Sequence, residues 1–230
     1  MTATFSLAQN GQAARTDWHT RIEATDGGHL IGKPDAPVLL TEFVSYTCGS
    51  CARFAVEGDP IIEFSYIMPG IVRLEVRPVI RNTTDLTVTM LAQCGDASNF
   101  KKNHEYFIRT HSDWLVKARN APQTQQAIWN RGDVNARLNM ARALDLDDKM
   151  VKRGYSIQEV NACLKDESVA DALIASTEAD KIKFGVHSTP SFAINGKTVT
   201  EVHSWGGLFP KLAQVVSDAA PKPESELPDV

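Results

Sequence analysis

The sequence predicts an α/β fold in which a long helical insertion separates a β–α–β unit from a β-hairpin and a closing helix. Three observations carry that expectation. Val38–Tyr46 is a nearly continuous apolar and β-branched run, as a strand covered on both faces requires. From Asp85 to about Gly154 prolines and glycines are few, and apolar residues recur at three- and four-residue spacing. Asn195-Gly196 stands between two β-rich runs, the strongest short-range signal for a hairpin.

Taken in order, residues 1–30 are polar and Gly-rich, with Trp18 as an anchor, and are expected to form an extended arm. Gly32–Pro37 is a turn cluster punctuated by one Gly and two Pro, and the Val38–Tyr46 strand follows. Cys48–Glu57 has helical character. Gly58-Asp59-Pro60 should interrupt that helix, since Pro60 has no N–H to donate to residue 56, and Ile61–Tyr66 should resume it. Ile71–Arg77 alternates apolar and charged residues as a strand does. About four helices are expected in the insertion, followed by one starting at the capping box Ser156-x-x-Glu159. A helix from about Ser168 to Phe184 ends at Gly185, Ser191–Val202 forms the hairpin, and Ser204–Ala219 closes the fold.

Composition narrows the function classes. The chain has 230 residues, 43% hydrophobic and 23% charged, enough for one large domain or a core domain with an insertion. A net charge of -4 argues against a nucleic-acid partner, which needs a basic face. No window offers the roughly 20 consecutive apolar residues of a membrane span, so a soluble protein is expected. Met1–Gln12 has neither a basic nor an apolar leader segment. That leaves a cytoplasmic protein, or an exported one whose leader is absent, as the two readings.

The chemistry concentrates at Cys48-Gly49-Ser50-Cys51, where a buried strand passes into a helix. A helix N-terminus presents unpaired N–H groups and about half a positive charge, which favour a thiolate on the first cysteine. The second cysteine, one turn on, can attack a mixed disulfide and release the substrate. Cys48 is therefore the candidate nucleophile and Cys51 the resolving residue. A zinc half-site is the alternative, but no second C-x-x-C or paired-histidine motif accompanies it, and no metal or cofactor is expected. Glu42 lies six residues before Cys48 in an otherwise apolar strand. If buried, it would have a raised pKa and exchange protons with Cys51; on a solvated edge it would do neither. Thr189-Pro190 precedes the Ser191–Ile194 strand. A cis bond there would offer Thr189's backbone to a substrate strand, whereas a trans bond would make it an ordinary strand start.

Val38–Cys51, the Thr-Pro before a short strand and the helical insertion together resemble the DsbA-like branch of the thioredoxin superfamily, over about His29 to Ala219. The resemblance implies a thioredoxin fold with an inserted α-helical subdomain. Residues 31–84 and 185–220 would form the thioredoxin-fold domain, residues 85–184 the insertion with its return helix, and residues 221–230 a disordered tail. It further implies that Pro190 is cis, that Thr189 and Pro190 hold the substrate chain, and that Glu42 is the family's buried acid. The implied function is thiol–disulfide exchange with unfolded or partly folded protein substrates. A recycling partner would be needed, either a membrane quinone-linked oxidase or a thiol reductant.

The sequence departs from the family's strong oxidases in carrying Gly49-Ser50 where they have Pro-His. A serine hydroxyl offers only a neutral hydrogen bond, so Cys48 should be less acidic than the oxidase thiol at about 3.5, and the disulfide only moderately oxidising. Disulfide reduction or isomerisation thus stays open beside oxidation. A glutathione-linked transferase and a peptide-binding chaperone are the remaining alternatives, both disfavoured by two intact cysteines. Some relatives imply a structural disulfide between the positions of Cys94 and Cys163; two buried free thiols are the alternative. If formed, the bond would close a 69-residue separation, stabilise by about 4 kcal/mol in the chain-entropy model, and favour a periplasmic or otherwise exported protein. His104 and His111 read as core or surface residues, while His187 is a candidate to sit beside the cysteines.

Overall fold

The computed structural model describes residues 17–220. The expectations for the first sixteen residues, for a leader and for the tail at 221–230 fall outside that range. Six strands form one mixed sheet in the order β1-β2-β4-β3-β5-β6. These are β1 (Ile22–Ala24), β2 (His29–Ile31), β3 (Val38–Val44), β4 (Val72–Pro78), β5 (Ser191–Ile194) and β6 (Lys197–Val199). Only β3 and β4 run parallel; the other pairs are antiparallel.

Burial follows the sequence pattern. The β4 strand alternates buried and half-buried residues, while β3 is buried at six of its seven positions. The central position of β3 explains the difference, since helices cover both its faces while β4 flanks it on one side and β5 on the other. Helix α1 (Gly49–Glu57) leaves the carboxyl end of β3, and Phe54 on it packs against Phe192 of β5, ring centroids 4.8 Å apart. Gly58 ends α1, and α2 (Asp59–Ile62) restarts the chain with Pro60 in its first turn, where a missing N–H costs nothing. A π-helical turn over Glu63–Ile67 follows.

The insertion contains more helices than expected. Six lie between Thr83 and Val151: α3 (Thr83–Ala92), α4 (Phe100–Arg109), α5 (His111–Arg119), α6 (Gln123–Trp129), α7 (Val134–Ala143) and α8 (Leu146–Val151). Several are shorter than three turns and break without Gly or Pro. Thr110 alone separates α4 from α5, and Asp145, in the left-handed region, starts α8. Periodicity merges such neighbours. Helices α9 (Ile157–Lys165) and α10 (Glu167–Phe184) return the chain, the first opened by the Ser156–Glu159 capping box and the second closed by left-handed Gly185. Helix α11 (Trp205–Ala219) covers the β5 side, with Trp205 6.3 Å from Phe54.

The second correction concerns the expected arm. Residues 22–31 instead form the β1–β2 hairpin, which pairs through β2 with β4 and extends the sheet. Each strand is only three residues long, too short for alternation to show. Gly28 is what lets this hairpin close on its neighbour: a Cβ there would sit 2.1 Å from the Val76 carbonyl oxygen. Behind the same edge Arg77 binds Asp180 of α10 at 2.8 Å and Glu75 at 2.9 Å, tying the sheet to the return helix.

Candidate active site

Cys48 is the N-cap of α1, with extended backbone angles, and Cys51 lies in the first turn of that helix. Cys48 keeps 9% of its surface exposed and Cys51 none, and both are free thiols. This asymmetry sets their acidities apart. A hydrogen bond from the Cys51 thiol, opposed by partial burial and helped by the Thr189 side chain and the N–H groups of Ser50 and Cys51, holds Cys48 down to about 5. Burial, and then the neighbouring Cys48, pushes the Cys51 thiol well up. One thiolate is thus favoured, and it is the one that solvent and substrate can reach.

The Thr189–Pro190 loop faces that sulfur. The peptide bond is cis, and the protonated Cys48 thiol donates to the Thr189 carbonyl oxygen at 3.1 Å. A thiolate has no proton for that carbonyl. The Thr189 hydroxyl, buried and without another partner among the described residues, is the group that can turn to it instead. His203 holds the loop from behind by donating from Nδ1 to the Pro190 carbonyl oxygen at 2.7 Å. Ser191 Oγ donates to the Ser188 carbonyl at 2.7 Å.

Glu42 sits within β3, opposite Val76 on one side and Phe192 on the other, and is 2% exposed. It therefore lies inside the sheet and away from any edge. Burial, reinforced by Asp59, raises its pKa well above the usual carboxylate range. Its charge in turn raises Cys51 and Tyr46. The Glu42 carboxyl thereby keeps its proton to higher pH than an exposed carboxyl does.

Sequence reasoning missed Asp85. From the first turn of α3 its fully buried carboxylate accepts from Ser45 Oγ at 2.8 Å, the Thr47 N–H at 2.9 Å, Thr47 Oγ1 at 3.0 Å and the Arg81 N–H at 3.2 Å. It fixes the turn that delivers Cys48. The signal for it was Asn82-x-x-Asp85, a helix-start pattern in which the Asn82 side chain accepts from the Asp85 N–H. Histidine roles also differ from expectation. His187 is exposed and lines a cleft with Arg81, Ser188 and Thr189, while the histidine that touches the loop is His203. His111, read as bland, is close enough to Cys48 for a thiolate there to pull its pKa up. Burial and Arg119 outweigh that pull and hold His111 below the usual histidine value. His104 is a core residue, hydrogen-bonded through Nδ1 to the Tyr46 hydroxyl at 2.9 Å.

Cys94, just past α3, is joined to Cys163 of α9 in a disulfide with a Cα–Cα distance of 5.6 Å, remote in sequence from the dithiol. Among the described residues no group of three His, Cys, Asp or Glu side chains is placed to hold a metal ion. No helix among them is long and apolar enough to cross a membrane.

A mixed sheet with a dithiol at a helix N-terminus, facing a cis-proline loop, defines the thioredoxin-like class. The chain belongs to the thioredoxin family, whose model, described as Thioredoxin, matches residues 24–209. Among solved structures, the protein-disulfide isomerase from Novosphingobium aromaticivorans is 32% identical with a TM-score of 0.80, over 84% of this chain and 99% of that one. Wolbachia pipientis alpha-DsbA1, 18% identical with a TM-score of 0.65 over 89% of this chain and 98% of that one, shares the fold and its helical insertion. A curated relative from Rickettsia bellii, named "Putative protein-disulfide oxidoreductase", is 25% identical over 84% of this chain and 66% of its own length. A Rickettsia typhi relative of the same name is 28% identical over 73% of this chain and 54% of its own length. The chain spans between about half and two thirds of the length of these curated relatives.

Proposed function

We propose that this protein is a DsbA-type thiol–disulfide oxidoreductase that exchanges disulfides with unfolded or partly folded protein substrates. The observation that carries this reading is the split pair: Cys48 held down to about 5 at the surface, Cys51 pushed up and buried beneath it. A substrate thiolate attacks Cys48 of the oxidised pair, and the Cys48–Cys51 bond breaks. Cys51 leaves with the electron pair and takes a proton from Glu42. Thr189 and Pro190 hold the substrate backbone beside the sulfur by strand addition. A second substrate thiol then attacks the mixed disulfide and releases Cys48 as a thiolate, so the substrate loses two electrons and the enzyme pair gains them.

The direction of exchange follows from thiolate stability. A Cys48 near 5 lies between the strong oxidase at about 3.5 and thioredoxin at about 7, which supports a moderately oxidising enzyme. The Cys94–Cys163 disulfide supports export, since such bonds persist outside the reducing cytosol. Recycling would then fall to a membrane quinone-linked oxidase. A second reading, reduction or isomerisation fed by a thiol reductant, is favoured by the likeness to the Novosphingobium isomerase.

The test is substrate trapping. Cys51→Ser should accumulate mixed disulfides between Cys48 and an unfolded protein that carries disulfides, the Cys48 thiolate attacking one substrate sulfur and the other leaving as thiolate, while Cys48→Ser should form none. Turnover retained at full rate by Cys51→Ser would instead point to a transferase that needs no resolving thiol. Binding of unfolded chains unaffected by loss of both cysteines, with no exchange, would point to a chaperone.

A further inference from the structure

Glu42 can give up one proton, yet it is 2% exposed, so repeated turnover requires a path that restores it. A cavity of about 20 Å³ adjoins it, lined by Glu42, Asp59, Glu63, Lys101, His104 and Glu105, together with apolar side chains. That is room for one water molecule, which needs roughly 10–15 Å³ and two or more polar partners. Asp59, the first residue of α2, lines the cavity beside Glu42, and its Oδ1 is buried with no hydrogen-bond partner among the described residues. A buried carboxylate oxygen left unpaired is costly unless something outside the protein chain completes it. At the same cavity Lys101 binds Glu63 and Glu105, each at 2.9 Å, and the three side chains are 17%, 27% and 34% exposed. Polar groups thus run from Glu42 past Asp59 to solvent.

We propose that Asp59 is a positioning residue of the redox site that passes protons between Glu42 and the surface through one water held in this cavity. The inference rests on Glu42 acting as proton partner of Cys51. When Cys51 leaves as thiolate, the Glu42 carboxyl protonates it. The resulting Glu42 carboxylate takes a proton from the water, the water takes one from Asp59, and Asp59 is reprotonated from solvent past Glu63. No electrons move along this path; every donor ends in its starting state once solvent has supplied one proton.

The charged groups around Asp59 suit the task. Burial raises its pKa to about 7, Arg109 opposes the rise, Glu105 and Glu63 add to it, and Lys101 opposes it. Glu42 faces it from β3. His104, lining the same cavity, is held down to about 3 by burial and stays neutral. A carboxyl that titrates near neutrality serves equally as proton donor and acceptor.

The experiment is stopped-flow reduction of the oxidised protein by glutathione from pH 5 to 9, for wild type, Asp59→Asn, Glu42→Gln and the double variant. Asp59→Asn should slow the reaction about tenfold at pH 7, less than the roughly 10²–10⁴-fold of a group that meets the reacting atom itself, because Asp59 acts through Glu42. The double variant should be no slower than Glu42→Gln alone, because both lie on one path. Alkylation of reduced Asp59→Asn at Cys48 should keep the wild-type pH midpoint, which a folding defect would move. Wild-type rates in Asp59→Asn across the range, or losses that multiply in the double variant, would overturn the relay and leave disulfide exchange standing. A wild-type protein that failed to react with glutathione would overturn both.

Discussion

At the scale of single residues, the site is a contrast between neighbours. Cys48 and Cys51 are three residues apart, but one caps a helix at the surface while the other is sealed under it. The rate of Cys48 alkylation is therefore expected to rise with a midpoint near pH 5, with Cys51 unreactive over the same range. Glu42 makes a second expectation. Its folded-state pKa is raised above 4.5, so its contribution to stability is fully present below pH 4.5 and is lost as pH rises through the folded value. Glu42→Gln should accordingly raise the melting temperature at pH 7 by a few degrees, each kcal/mol being worth about 2–4 °C in a chain of this size. The gain should fade toward pH 4. A melting curve indifferent to the substitution at pH 7 would mean that burial does not raise the Glu42 pKa.

At the scale of elements, the active-site turn is held by a helix outside the β–α–β unit. Asp85 reaches from α3 to Ser45 and Thr47, so the insertion positions the nucleophile as well as covering it. Asp85→Ala strands the buried Ser45 hydroxyl and three part-buried donors that water can reach, and should cost about 2–3 kcal/mol in urea unfolding, since a hydrogen bond to a charged group contributes about 1.5–3 kcal/mol. A loss below about 0.5 kcal/mol would show that water replaces the carboxylate. These contacts also explain what the sequence disclosed. Strand β3, the Asn195-Gly196 hairpin, the capped helix α9 and the C-x-x-C at a strand-to-helix junction announce themselves by local pattern, because each is fixed by its own residues. The β1–β2 hairpin, Asp85 and His203 do not. Their roles come from partners more than ten residues away: Val76 for Gly28, Thr47 for Asp85 and Pro190 for His203. Short helices joined by single residues, as at Thr110, likewise leave no punctuation to read.

At the scale of the whole molecule, two buried histidines link the hairpin, the insertion and the sheet. His29 of β2 stacks on Phe100 of α4 with centroids 3.8 Å apart, Phe100 stacks on His104 at 5.5 Å, and His104 bonds Tyr46 beyond β3. Burial lowers His29 to about 4 and His104 to about 3, from 6.5. For a lowered pKa the contribution to stability is complete above pH 6.5 and is lost as pH falls toward the folded values. The two histidines should therefore contribute a loss of stability between pH 6.5 and 4, opposed over the same range by the raised Glu42 and Asp59, and His104→Gln should remove part of that loss in denaturant titrations. The Cys94–Cys163 bond acts on the same scale, closing 69 residues of chain. Replacing both cysteines by Ala should cost up to about 4 kcal/mol.

The account stands most directly on the reduction potential of the Cys48–Cys51 pair, measured by equilibrating the protein against graded glutathione buffers and quantifying free thiols. We expect a value between about -120 mV, that of the strong oxidase, and about -270 mV, that of thioredoxin, as a Cys48 thiol near 5 implies. A pair that does not exchange with glutathione at any ratio would contradict the redox reading of the site itself.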